Sequence, residues 1–447
     1  MEAPDPEVNA LDTYKLGISE ASRLMREGVL TPSELLESHL RRIDALEPKV
    51  RAWVTVDREG AREAAKRLSE EVEEGHIRGP LHGVPVGFKD IYDTAGLRTT
   101  MGSKIYDQFV PGVDADTVAG LREAGAIILG KTETTEFAVT DPAPTRNPWN
   151  LEHTPGGSSS GSAAAVSSGM CPAALGSQTG GSVIRPASFC GVVGMKPTYD
   201  LISRRGVFPL SWSLDHVGFF TRSVEDADLM LGALVGDGRL PPLEASRAPR
   251  VGVLRGFFEE NADPEVWEGF VKAKGVLEGA GAEVFEHPLP GSFHVVHDAH
   301  RLIMASEAAS VHEENFRKRA RDYRLNIRGL VASGLLIPAH AYLRAQCIRA
   351  RFSDEALLAM DEVDCLMTPS APTPALHGLA STGNSAFNVP WSLCGFPVMT
   401  LPSGVTHDNL PLGIQIVGRP YEEHRLLSIA LWCECALGFP KEPIEPH

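Results

Sequence analysis

No apolar run in the chain approaches the roughly 18 residues that a membrane-spanning helix needs, and the opening MEAPDPEVNA is acidic and proline-bearing. It lacks the basic start and apolar core of a secretory signal. The expectation is a cytoplasmic protein with no membrane partner. Cysteine is sparse: seven residues are scattered at 171, 190, 347, 365, 394, 433 and 435. They form no disulfide framework, and Cys433-x-Cys435 lacks a second pair at zinc-finger spacing, so reduced thiols are expected. Basic residues are in deficit, 42 against 58 acidic, for a net charge of −16. Such a surface repels phosphate backbones and anionic membranes, which disfavours nucleic acid as a partner. What remains, 43% hydrophobic and 22% charged over 447 residues, is ordinary for a soluble globular chain with a large core.

Thr31-Pro32-Ser33-Glu34 has the form of a helix-capping box with proline at the first helical position. Leu35, Leu36, His39, Leu40, Ile43 and Leu46 then predict a one-sided helix ending before Pro48. Residues 83–88 predict a short buried strand running into Lys89 and Asp90. A helix closing over 121–125 leads to an apolar strand at 126–129. This helix, glycine, strand order points to an α/β sheet. A buried small-residue helix is expected at 161–169 and a core strand at 173–176. Further strands are expected at 251–254, 283–285, 364–368, 398–401 and 412–417, with a helix over 264–278. Strands from both ends of the chain are expected to share one sheet. Residues 293–350 are mainly helical in pattern and more polar, an insertion with the character of a lid.

The densest signal is TPGGSSSGSAAAVSSGMCPAALGSQTGGSVIRPASFCGVVGMKPT, residues 154–198. It holds two glycine-flanked serines, Ser158 and Ser182, with no histidine between them. A serine hydroxyl is a poor nucleophile until a base takes its proton. Lys89, at the end of GVPVGFKD (83–90), serves as that base only if burial lowers its pKa toward neutrality. Val84, Val86 and Phe88 supply an apolar approach. Thr179-Gly180-Gly181-Ser182 offers successive backbone N–H groups with no large side chain in the way, the makings of an anion-binding nest.

Together these segments resemble the amidase signature family of Ser-Ser-Lys hydrolases, from about Leu16 to about Phe439. The resemblance implies a single amidase domain over 1–447, with a loose N-terminal segment at 1–10. Its fold is α/β, a mixed, twisted sheet with helices on both faces. Lys89 becomes the base, Ser158 a relay serine on a cis peptide after Gly157, and Ser182 the nucleophile. Thr179, Gly180, Gly181 and Ser182 supply oxyanion donors, and no metal or cofactor is needed. Gly157, Phe137, Phe387 and Trp391 are the expected substrate-binding residues, the three aromatics lying near segments that line the substrate site in relatives. The implied reaction is cleavage of a small, neutral, apolar or aromatic amide, anilide or carbamate; a homodimer is compatible with the sequence. The alternative inside the family is the glutaminase component of a tRNA-dependent amidotransferase. That branch places an acid in a D-x-F-T-x-P segment, where this chain reads Ser385-Ala386-Phe387-Asn388-Val389-Pro390. Two further departures are Ser160, where GGSSGGS has glycine, and Gln178, where many members carry aspartate. Arg185 is expected to anchor the loop by its fork of donors.

Three other patterns compete for attention. Gly157-Ser158-Ser159-Ser160-Gly161 fits the G-x-S-x-G elbow with Ser159 at its centre, but no strand precedes it, and neither His216 nor His377 has a convincing setting. His294, His297 and His300 form an HxxHxxH series beside Asp298, yet steps of three drift about 60° each around a helix, so a partly exposed helix face is expected rather than a metal site. Asp215, in SLDHVG, is expected to be ordinary core.

Overall fold

The structure, a computed structural model, describes residues 12–236, 243–245 and 247–446; the N-terminal segment 1–10 lies outside the described residues. Eleven strands form one sheet: β1 Trp53–Val56, β2 Pro85–Lys89, β3 Ile127–Thr132, β4 Ala173–Gln178, β5 Val193–Lys196, β6 His216–Thr221, β7 Arg250–Leu254, β8 Glu283–His287, β9 Cys365–Pro369, β10 Val398–Val405 and β11 Pro411–Val417. Their order is β1-β3-β2-β4-β6-β5-β10-β11-β9-β7-β8. The flanks are parallel, β3-β2-β4 on one side and β9-β7-β8 on the other. The strands between them pair antiparallel, and so does β1 on β3. The β5–β10 pairing joins the two halves of the chain in one sheet.

Alternation along the strands divides the core. Ala173 and Leu175 of β4, with Phe219 of β6, face one cluster that includes Val224, Phe270 and Leu426 from helices. Ala174 and Phe220 face the opposite cluster, against Leu36, Leu40 and the small-residue helix Ser160–Ser167. Successive side chains of a strand point to opposite faces, so helices cover both. The edge strand β8 carries the exposed Glu283 and Glu286, charges that discourage pairing with another chain.

The capping box forms as expected: Thr31 Oγ1 accepts the Glu34 N–H, and the Glu34 carboxylate accepts the Thr31 N–H. The helix end differs. It runs Pro32–Val50, through Pro48, and closes on Arg51 in the left-handed conformation. Pro48 lies in the last turn, where its missing N–H costs one backbone bond, while Arg51 N–H still reaches Glu47 O. The 293–350 region is helical, dominated by Val296–Arg319, Leu325–Gly334 and Ala339–Leu358. Among the described residues, no helix is long and apolar enough to cross a membrane.

Candidate active site

The site lies at the C-terminal ends of the parallel neighbours β2 and β4, whose register sets Phe88 beside Leu175. Lys89 closes β2 and Ser177 stands one residue before the end of β4. Two loops complete it: residues 154–159, leading into the helix Ser160–Ser167, and residues 179–183, leading into the helix Ile184–Cys190. Ser160–Ser167 is wholly buried. At Gly161 a β-carbon would collide with Ala52 O, so that helix approaches the sheet only with glycine there.

Lys89 is fully buried, and its Nζ donates to Ser158 Oγ at 2.6 Å and to Ser177 Oγ at 2.8 Å. Burial brings its pKa down to about 7, against the raising pull of Asp215. No carboxylate touches it; its partners are hydroxyls. Ser158 follows Gly157 across a cis peptide bond and is fully buried. Ser182 is 8% exposed, and its hydroxyl has no hydrogen-bond partner among the described residues. The two serines are thus distinguished by their surroundings: Ser158 is bonded to the lysine, and the Ser182 hydroxyl is left without a partner among the described residues.

The 179–182 loop is fixed through its carbonyl groups. Thr179 O accepts from His300 Nε2 at 2.8 Å, Gly180 O from Ser392 Oγ at 2.7 Å, and Gly181 O from Arg185 N–H at 3.0 Å. In a trans peptide the C=O and N–H point in opposite directions. Pinning these three carbonyls therefore turns the N–H groups of Gly180, Gly181 and Ser182 away from those partners, and they meet no acceptor among the described residues. At Gly181 a β-carbon would collide with Asn388 Oδ1, so only glycine fits.

Gln178 does the anchoring work at the position where an aspartate was the expected residue. Its Oε1 accepts the N–H groups of Val183 and Ile184, and its Nε2 donates to Ser392 Oγ, the group that holds Gly180 O. Ser160 uses its extra hydroxyl to hold Gly156 O at 2.7 Å. Arg185 donates to Gly157 O, Gly383 O and Thr382 Oγ1, tying the serine loop to residues 382–383. Asp215 is more than core packing. It accepts Thr179 Oγ1 and the N–H groups of Leu210 and Ser211, and burial pushes its carboxyl up to about 6.

A cavity of about 180 Å³ is lined by Ser177, Thr179 and Asp215 and by Ile91, Val207, Phe208, Leu210 and Trp212; Lys89, Ser158 and Ser182 are not among its lining residues. Arg204 also lines it, but its guanidinium is engaged by Asp200 and Tyr199. Phe137, Phe387 and Trp391 are not among the residues that line this cavity. Phe137 is buried one layer behind the wall, with its ring 5.4 Å from Phe208. Phe387 packs on Phe257 and Phe258, and Trp391 on Phe352. Ser385, by contrast, stands directly over the loop, its Cβ 2.8 Å from where a β-carbon on Gly181 would lie.

The competing patterns resolve locally. Ser159 Oγ donates to Ser177 O and accepts Ser177 N–H, both at 3.3 Å, so it is locked to the β4 backbone. His294, His297 and His300 turn ring nitrogens to three separate carbonyls, those of Gly291, Ala386 and Thr179. His300 is buried rather than part of an exposed face. Among the described residues, no three His, Cys, Asp or Glu side chains converge on a metal position. Ser177 has no motif to announce it, and the series that contains His300 points to a helix face or a metal rather than to the 179–182 loop. Ser177 carries only the weak signal of a hydroxyl after the apolar run at 173–175.

The sequence profile of the family described as Amidase matches residues 34–427. The A subunit of glutamyl-tRNA(Gln) amidotransferase from Syntrophus aciditrophicus is 35% identical over 471 aligned positions, covering 94% of this chain and 97% of that protein. Among solved structures, the crystal structure of an amidase superposes with a TM-score of 0.88 at 35% identity, covering 94% of this chain and 99% of its own. The peptide amidase PAM in complex with the competitive inhibitor chymostatin gives a TM-score of 0.83 at 29% identity, covering 96% of this chain and 99% of that one. The chain belongs to the amidase family. It is an amidase-signature hydrolase of carbon–nitrogen bonds.

Proposed function

We propose that this hydrolase acts alone on a small, neutral amide, anilide or carbamate, through Lys89, Ser158 and Ser182. One observation carries the reading: a buried lysine near neutrality is bonded to a buried serine, and a serine whose hydroxyl has no partner among the described residues lies on the neighbouring loop. Neutral Lys89 takes the proton of Ser158, and Ser158 takes that of Ser182 as its oxygen attacks the carbonyl carbon. The N–H groups of Gly180, Gly181 and Ser182 receive the developing oxyanion. Ser158 returns the proton to the departing amine. Water then attacks the acyl-enzyme by the same route in reverse.

The choice of substrate rests on two features. The cavity walls are apolar and aromatic, and its charged groups, Asp215 and Arg204, are already engaged by protein donors and acceptors. Glutamine brings a free ammonium, which wants a carboxylate beside it. At the segment over the 179–182 loop this chain offers Ser385 instead. The alternative, a glutaminase feeding ammonia to a partner chain, has in its favour the name of the Syntrophus relative. A homodimer and a cytoplasmic location remain part of the proposal, as does the independence of this chain from nucleic acid.

The test is amine release from a nitroanilide, an aryl carbamate, an aliphatic amide and glutamine, with Ser182→Ala as control. Release from the anilide or carbamate, absent in Ser182→Ala, is expected. Turnover of glutamine alone would overturn the substrate assignment in favour of the glutaminase.

A further inference from the structure

The helix Val296–Arg319 reaches the site by hydrogen bonds from two side chains, His300 and Glu307, and also packs His312 on the cavity-wall ring of Phe208. His300 and Glu307 are seven residues apart, which is two turns. His300 donates Nε2–H to Thr179 O, and a carbonyl acceptor fixes that tautomer. Glu307 is buried and accepts four hydrogen bonds: Ser211 Oγ at 2.6 Å, Ser213 N at 3.0 Å, Ser213 Oγ at 2.6 Å and Tyr342 Oη at 2.8 Å. Tyr342 belongs to the next long helix, Ala339–Leu358. Ser211 and Ser213 bracket Trp212, a wall of the cavity.

These contacts close a ring. From Glu307 it passes through Ser211 to Asp215, which accepts the N–H groups of Leu210 and Ser211. Asp215 then accepts Thr179 Oγ1, and Thr179 O returns to His300 on the starting helix. One helix face thereby sets the orientation of the Thr179–Gly180 peptide, and with it the Gly180 N–H, and also the position of the cavity wall at 210–213.

We propose that His300 and Glu307 are positioning residues, His300 for the Gly180 oxyanion donor and Glu307 for the substrate-facing wall. The inference rests on the reading of 179–182 as the oxyanion loop. It makes the first helix of the 293–350 region a fixed support for that loop and wall. The two contacts act on different stages. A misdirected Gly180 N–H weakens the transition state alone, whereas a loosened wall weakens binding before chemistry begins.

The experiment compares His300→Ala, His300→Gln, Glu307→Gln and Ser182→Ala in the full chain, on whichever anilide or carbamate the unmodified protein turns over, with Tm recorded for each. In His300→Ala, kcat falls by about tenfold to a hundredfold, below the full loss of an oxyanion donor, while KM stays within about threefold. His300→Gln, whose side-chain amide can still donate to Thr179 O, recovers most of that loss. Glu307→Gln raises KM several-fold, with kcat nearly retained. The clamp is overturned if His300→Ala keeps its kcat, if the glutamine variant is as impaired as the alanine one, or if Glu307→Gln leaves KM unmoved. Turnover surviving in Ser182→Ala overturns the catalytic reading itself, and the clamp with it. An inert Ser182→Ala beside a fully active His300→Ala sinks the clamp alone.

Discussion

Two buried lysines in this protein have nearly the same electrostatics and different neighbours. Lys89 and Lys196 are both fully buried, and burial brings each down to about 7. Lys196, at the end of β5, donates to the carbonyls of Pro197 and Phe396. Lys89 donates to the hydroxyls of Ser158 and Ser177. A carbonyl can only accept a proton in a hydrogen bond, whereas a hydroxyl can pass one on. Lys131 sits between the two cases, with one carbonyl, Tyr92 O, and one hydroxyl, Thr94 Oγ1, and it is brought down only to about 8. A depressed lysine pKa therefore does not by itself single out Lys89; what sets it apart is that both of its partners are hydroxyls.

The sharpest way to break the comparison is to replace each lysine by methionine. Lys89→Met should lose about a thousandfold or more in kcat/KM at neutral pH, within the range for removal of a general base. Lys196→Met should stay within about threefold of the unmodified protein. Stability should order the other way. Methionine removes the cost of burying an amine at both sites, but at 196 it also strands two carbonyls, about 1–3 kcal/mol each. The hydroxyls left at 89 can rotate to other acceptors. Urea melts should therefore show Lys89→Met at least as stable as the parent and Lys196→Met less stable than Lys89→Met. The pH dependence has a definite sign. Between about 7 and 10.5 the unfolded chain keeps a proton on this lysine that the folded chain has lost. Stability thus rises with pH across that window, and part of the rise should vanish in Lys89→Met.

That contrast also marks how far the sequence is legible. Lys89, Ser158 and Ser182 stand out because glycines and small residues flank them, and the structure sets Ser158 on Lys89 with Ser182 on the adjoining loop. The α/β pattern over residues 83–129 shows β2 and β3, because apolar runs there are bounded by glycine. By contrast, β5 and β6 are hard to see, since their residues lie in segments whose glycines suggest loops. The partners of the site are harder still. His300 reaches Thr179 across 121 residues and Ser392 reaches Gln178 across 214; no local periodicity encodes such pairings. Pro48 is a failure of a different kind, a correct helix-breaking signal placed where the helix was already ending.

Activity as a function of pH gives the next effect in size. If neutral Lys89 is the base, kcat/KM should rise with pH along an acidic limb centred near 7, falling about tenfold for each pH unit below it. The limb should persist in Lys196→Met, because that lysine exchanges no proton with the serines. A flat profile between pH 5 and 8 would remove Lys89 from the relay.

The smallest effect tests Ser177, the second hydroxyl that accepts from Lys89 Nζ, which separates the two lysines as surely as Ser158 does. Its Oγ accepts from the lysine, a bond that favours the charged amine over the neutral one. Ser177→Ala should therefore lower the pKa of Lys89 and shift the acidic limb toward lower pH by about half a unit to one unit, the equivalent of one modest hydrogen bond. Because Ser158 is untouched, the rate on the plateau should drop by no more than about tenfold. A limb that moves upward, or a loss as deep as that of Lys89→Met, would mean that Ser177 itself carries the proton and that Ser158 is not the sole relay.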